Sequence, residues 1–148
     1  MEGEYLLKAR QGEYLISTDP ARLDLDRICY FLSRSYWAGD RPREVTAKAL
    51  RNSLCFGLYH GGEQVGLARV VTDRATFAWL CDVWVDDAHR GQGLGKWLVA
   101  CVVAHPELCD LHLFILATRD AHELYARYGR FERVTSPDKI MVRRGQSG

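Results

Sequence analysis

No stretch of this chain approaches the ~18 consecutive apolar residues that a membrane-crossing helix requires, so no membrane span is expected. The opening MEGEYLLKARQGEYL carries acids and lacks a basic segment leading into an apolar one, so it does not read as a signal peptide. Excess charge is missing too. Lys and Arg number 20 against 19 Asp and Glu, a net charge of +1, whereas a nucleic-acid partner would ordinarily demand a basic face. The five cysteines contain no C-x-x-C pair, and the five histidines fall in neither H-x-x-x-H nor H-E-x-x-H spacing, so no metal is expected. An odd number of cysteines, with Cys55, Cys81 and Cys101 inside apolar runs, reads as reduced and mostly buried thiols of a cytoplasmic protein. Repeats, low-complexity tracts and linkers are also absent. What remains is 148 residues of ordinary globular composition, expected to form one domain over 1–148 around a single core.

Apolar periodicity orders that domain. Glu13–Asp19 reads as a short strand. Asp24 is placed to cap a helix whose stripe is Leu25, Ile28, Cys29, Phe31 and Leu32. Gly39, Asp40 and Pro42 break it, and Pro42 fits the first turn of a second helix running to about Asn52. Leu54–His60, a Gly61-Gly62 turn, QVGLARVVT and Phe77–Val85 form a three-strand meander. A helix follows from about Gly93 to His105, stopped by Pro106. Leu111–Thr118 is almost wholly apolar, as a strand covered on both faces would be. Ala121–Tyr128 reads as a helix with Gly129 as its left-handed C′ residue, and RFERVT and KIMVRR read as two last strands. Hairpins followed by a β-α-β crossover imply an α/β fold, one mixed sheet with helices on both faces.

The stretch HRGQGLGKWL, 89–98, places glycines at 91, 93 and 95 between Arg90 and Lys96, where a strand runs into a helix. Each glycine inside a helix costs roughly 1 kcal/mol against alanine. A bare loop ahead of unpaired helix N–H groups and the positive end of the helix dipole is an anion site, suited to a phosphate or pyrophosphate. It is not a P-loop: Arg90 stands where the first glycine must be, and Trp97 where Ser or Thr would hold magnesium. The dinucleotide pattern G-x-G-x-x-G fails as well, because Lys96 or Leu98 falls at its last glycine.

Arg90-Gly91-Gln92-Gly93-Leu94-Gly95 does match [Q/R]-x-x-G-x-[G/A], and so resembles motif A of the GNAT superfamily of acetyl-CoA-dependent N-acetyltransferases. Ala121–Phe131 is similar to that family's A-x-x-[L/F]-Y-x-[R/K]-x-G-F segment, with Arg130 inserted before Phe131. The order of elements agrees, and the resemblance runs from about Glu13 to Arg143.

The resemblance implies the GNAT fold and transfer of acetyl from acetyl-CoA to a primary amine by direct attack. It implies that main-chain groups near Val83 and Val85 pair with the pantetheine arm. The loop amides of Gly91, Gln92, Gly93, Leu94, Gly95 and Lys96, with Arg90, would take the pyrophosphate. Tyr125 is the expected hydrogen-bond partner or acid for the leaving thiolate; a free thiol has a pKa near ~8.5 and a tyrosine near ~10. The base is open, because Trp79 stands about where relatives carry a glutamate. Asp82, the one acid inside its strand, is a candidate for that task, directly or through water. A structural pairing with Arg69 or Arg119 is the alternative. Tyr36 and Trp37 are candidates to line the acceptor pocket, where aromatic faces would suit a cationic amine; the alternative is that they cap the core. Dimers are common in the family, so a homodimer is possible. A non-catalytic acyl-CoA sensor of the same fold is the rival function, and a regulatory domain with no CoA affinity a third. Neither composition nor fold names the acceptor.

Overall fold

A computed structural model describes residues 6–145. Six strands lie in chain order in one sheet: β1 (Lys8–Gln11), β2 (Tyr14–Ser17), β3 (Leu54–His60), β4 (Glu63–Thr72), β5 (Phe77–Val85) and β6 (Leu113–Leu116). All neighbours are antiparallel except β5 and β6, which the crossover makes parallel. The helices are α1 (Leu25–Ser33), α2 (Arg43–Arg51), α3 (Leu94–Ala104) and α4 (His122–Gly129).

Two clusters cover the sheet. On one face, α3 buries Leu94, Leu98, Val99 and Val102 against Phe56, Val70, Ala78 and Leu80, with Tyr125 of α4 at the margin. On the other, Ile28 and Leu32 of α1 meet Leu67, Cys55 and Trp84, and Phe31 stacks on the Trp84 ring at 4.4 Å. α1 begins where its cap residue indicates, Asp24 Oδ1 accepting from the Arg27 N–H at 3.2 Å. Leu98 is fully buried in the larger cluster. Leu98→Ala is expected to destabilise the protein by roughly 2–5 kcal/mol, read as a lowered urea midpoint with unchanged slope.

The structure departs from the sequence reading at several points. β1 escaped the sequence reading: KARQ holds no β-branched or aromatic residue, and the hairpin to β2 rests on main-chain pairing and on Gly12 at φ 61°. Pro42 is the residue before α2, extended at ψ 148°, rather than a member of its first turn. β6 is a four-residue edge strand, not a strand covered on both faces, and its Leu113 is 48% exposed. No strand forms after α4 among the described residues. Pro137–Lys139 is instead a 3-10 turn, and the three adjacent apolar residues Ile140, Met141 and Val142 cannot present one alternating face; all three are exposed.

The turn at the end of α4 explains the insertion in its motif. Arg130, at φ 60°, takes the left-handed position, and Gly129 is the last helical residue. Gly129 is required by contact rather than by its φ. A Cβ there would stand 2.8 Å from the Phe131 ring and 3.1 Å from a Val99 methyl. The extra residue brings Phe131 back over the core, edge-on to Phe114 at 5.2 Å.

Candidate active site

β5 and β6 pair only from Phe77–Leu113 to Leu80–Leu116. Beyond that point β6 ends while β5 continues to Val85. The register between β4 and β5 slips in the same region: Arg69 faces Cys81 and Leu67 faces Trp84, so Asp82 and Val83 together stand opposite Ala68. Asp82 sits at φ 51°, a left-handed bulge. The opened gap is a cleft of about 550 Å³. Leu80 and Val83 of β5, Leu116 of β6, Tyr125 of α4, and Tyr36 and Trp37 from the α1–α2 connection form its walls.

Asp82 lies at the bottom of this cleft, 3% exposed. Its Oδ1 accepts from Trp37 Nε1 at 2.8 Å and Arg41 Nη2 at 3.2 Å; its Oδ2 accepts from Arg41 Nη1 and Arg69 Nε, both at 2.8 Å. Four N–H donors thus meet the roughly four acceptor positions of a carboxylate. Burial by itself would raise the Asp82 carboxyl, but the hydrogen bonds and charges of Arg41 and Arg69 outweigh it and hold the group below the usual carboxylate range. With four donors on its two oxygens, Asp82 has little acceptor capacity left for a further proton. Of its two suggested structural partners Arg69 is one. Arg119 instead lays its guanidinium 3.8 Å from the centre of the Tyr36 ring, and its main-chain N–H donates to the Tyr36 hydroxyl at 3.3 Å.

Tyr125 faces the cleft from α4 with its ring largely buried. No described group hydrogen-bonds its hydroxyl. Burial first, then the neighbouring Tyr36 and Asp120, push its pKa up to about 12. Tyr36 and Trp37 pack edge to face at 5.1 Å in the cleft wall, which Trp79 also lines.

Past Val85 the chain makes a short 3-10 turn, then the glycine loop, then α3. Gly91 and Gly93 adopt φ 85° and 76°, which explains glycine at these two positions. A Cβ at 91, 93 or 95 would meet nothing within 4 Å, so packing does not account for the bare surface. The first helical bond is Trp97 N–H to the Gly93 carbonyl at 3.1 Å, and no side chain caps the amides before it. The amides of Leu94, Gly95 and Lys96 therefore lie ahead of the first helical bond without a side-chain cap, at the positive end of the α3 dipole.

The loop side chains are already engaged. Arg90 pairs with Asp87 at 3.0 Å and reaches the Val85 carbonyl at 3.4 Å. Gln92 donates to the Tyr14 hydroxyl at 3.1 Å, which contacts His89 Nδ1 at 2.8 Å, tying the loop to β2. The Lys96 ammonium lies 5.4 Å from the Tyr128 ring centre, and the Leu94 side chain is in the core. For Gln92 and Leu94 the open groups are main-chain ones.

Sequence reasoning missed Arg41 and Asp120. Arg41 sits in a helix-breaking stretch that carries no periodic signal. Asp120 precedes α4 as one more polar loop residue, and its place on the cleft follows only from where β6 ends.

A family model of the acetyltransferase (GNAT) domain matches residues 51–129, from the end of α2 through α4. The chain belongs to the GNAT family. A GNAT-family protein of Xanthomonas campestris is 47% identical and superimposes with a TM-score of 0.85, covering 89% of this chain and 93% of its own. The Gibberella zeae protein FG08082, which carries an acetyltransferase name, is 41% identical over 109 residues, 60% of this GNAT chain; the match spans 62% of that protein. A Clostridium acetobutylicum structure that holds acetyl-CoA shares the GNAT fold at 13% identity, with a TM-score of 0.60 over 82% of this chain and 90% of its own.

Proposed function

We propose that this GNAT protein transfers the acetyl group of acetyl-CoA to a primary amine by direct attack. The observation that carries the reading is continuity. β5 has an unpaired edge beyond Leu80 that opens onto the Tyr125 hydroxyl at one end and runs into the uncapped amides of α3 at the other. An extended chain with a diphosphate at one end and a thioester at the other suits that path, and acetyl-CoA has this form. The acetyl-CoA held by the Clostridium protein of the same fold supports the assignment.

The pyrophosphate would lie on the amides of Leu94, Gly95 and Lys96, where Gly93 leaves room for close approach. The pantetheine arm would pair with the main chain near Val83 and Val85 as an added strand. Attack by the amine nitrogen forms the amide bond and breaks the C–S bond, leaving a thiolate. The Tyr125 phenol, raised to about 12, stays protonated and donates a hydrogen bond to that sulfur. Full proton transfer to a thiolate of pKa near ~8.5 would run uphill, so the phenol acts as a fixed donor rather than as an acid. With Asp82 committed to its arginines, Asp120 is the described cleft carboxylate without an ion pair, and it would take the amine proton directly or through water. Five free cysteines support a reducing, cytoplasmic setting.

Calorimetric titration with acetyl-CoA, followed by thiol release over a panel of amines, tests the reading. Micromolar binding with thiol release is expected. Binding without release on any amine would return the protein to the sensor reading, and no binding would remove the assignment of the loop.

A further inference from the structure

The Asp82 cluster ties the α1–α2 connection, which lies outside the sheet, to the paired strands β4 and β5. Trp37 and Arg41 belong to the α1–α2 connection, which supplies one wall of the cleft. Arg69 comes from β4, and its other arm is fixed by Ser53 Oγ, 3.0 Å from Nη1, just before β3. Asp82 is itself the left-handed residue of the β5 bulge. A φ of 51° is uncommon for any residue but glycine, although aspartate is among those that tolerate it, and the side-chain partners fix it there. Bidentate Arg41, Nε of Arg69 and the Trp37 indole together occupy both carboxylate oxygens.

The bulge also marks where the strands part. The last β5–β6 pair is Leu80–Leu116, two residues before Asp82. A regular β5 would keep the alternation of its side chains past residue 81. The bulge instead re-aims Val83 into the cleft and leaves the strand edge there free of a protein partner.

We propose that Asp82 is a positioning residue: its carboxylate, clamped by Trp37, Arg41 and Arg69, holds the β5 bulge and with it the open gap and the Trp37 wall. This rests on the acetyltransferase reading only for what the gap is used for; the clamp itself is a property of the fold.

Asp82→Asn is the discriminating variant. Asparagine tolerates the left-handed region as well as aspartate does and keeps one acceptor oxygen, so the change removes charge and turns an amide N–H₂ toward an arginine. Hydrogen exchange at the amides of 81–83 is expected to rise about tenfold or more in the unliganded protein. Turnover is expected to fall about 10–100-fold, through misplacement of the reacting groups, with the shape of the pH–rate profile unchanged. Exchange and turnover like those of the parent would overturn the proposal, as would loss of a pH-profile limb, which would restore Asp82 as the base. Arg41→Lys covers the case in which Asp82→Asn does not fold. It keeps the positive charge, drops the bidentate fork, and is expected to speed the same amides by a smaller factor; parent-like exchange there would equally overturn the clamp. Absence of acetyl-CoA binding by the parent protein would sink the proposed function, while the exchange result would still decide the clamp.

Discussion

Gly93→Asp is expected to lower acetyl-CoA affinity by about 100-fold or more while the protein stays folded. Gly93 has φ 76° and is the residue before α3, with open space around the position a Cβ would take. Aspartate enters the left-handed region more readily than most residues, and a carboxylate beside a helix N-terminus gains ~0.3–1 kcal/mol from the dipole. The left-handed φ strains any side chain placed there, but these two effects offset part of the cost, and the protein is expected to fold. The ligand loses much, because the new carboxylate competes for the amides that would bind the pyrophosphate and repels it as well. At an effective dielectric of about 20, two unit charges 5 Å apart repel by ~3 kcal/mol before screening. Gly93→Ala separates the two effects. It brings the φ strain without the charge and is expected to cost about tenfold or less. Titration calorimetry, paired with thermal melts of both variants, reads the result. Unchanged affinity in Gly93→Asp would place the pyrophosphate elsewhere.

The glycine loop was legible because everything that defines it is local. Gly91, Gly93 and Gly95 fall within five residues, the first two take a left-handed φ, and the helix announces itself by the spacing of Leu94, Leu98 and Val102. The start of α1 was legible for the same reason, Asp24 and Arg27 lying three residues apart. The meander was legible through its turns: β3 and β5 have the bounds that the apolar runs indicate. The site's interior was not. Asp82 reads as an isolated acid in an apolar strand, and only the fold brings Arg41, 41 residues away, onto its two oxygens. Arg69 was within reach of a sequence argument because a hairpin places residues near each other across its turn. Trp37, a candidate either to line the acceptor pocket or to cap the core, lines the cleft and also donates its indole N–H to Asp82, a partner that its place in the chain does not announce. At the two ends of the chain, composition misled in opposite directions. The polar β1 pairs through its backbone, and the apolar Ile140–Val142 within KIMVRR finds no face to bury among the described residues.

Tyr125→Phe is expected to lower turnover about 100-fold and to leave acetyl-CoA affinity within about twofold, since the donor is required only as charge develops on sulfur. The substitution removes one oxygen. The ring keeps its place near Phe131, 6.1 Å between centres, and its contacts with the larger cluster. Because the lost hydroxyl opens onto the cleft and has no described hydrogen-bond partner, stability is expected to change little. The pH dependence carries a second, independent signature. A phenol raised to about 12 is neutral across the whole range in which the enzyme can be assayed, so Tyr125 contributes no basic limb to the rate between about pH 6 and 10. Tyr125→Phe should therefore lower the profile uniformly without shifting its inflections. A basic limb present in the parent and missing from Tyr125→Phe would mean that bound acetyl-CoA brings the phenol down into the working range and that it transfers its proton in full. Turnover equal to the parent's would take Tyr125 out of the chemistry and leave the main chain of β5 as the cleft's principal source of hydrogen bonds to the developing charges.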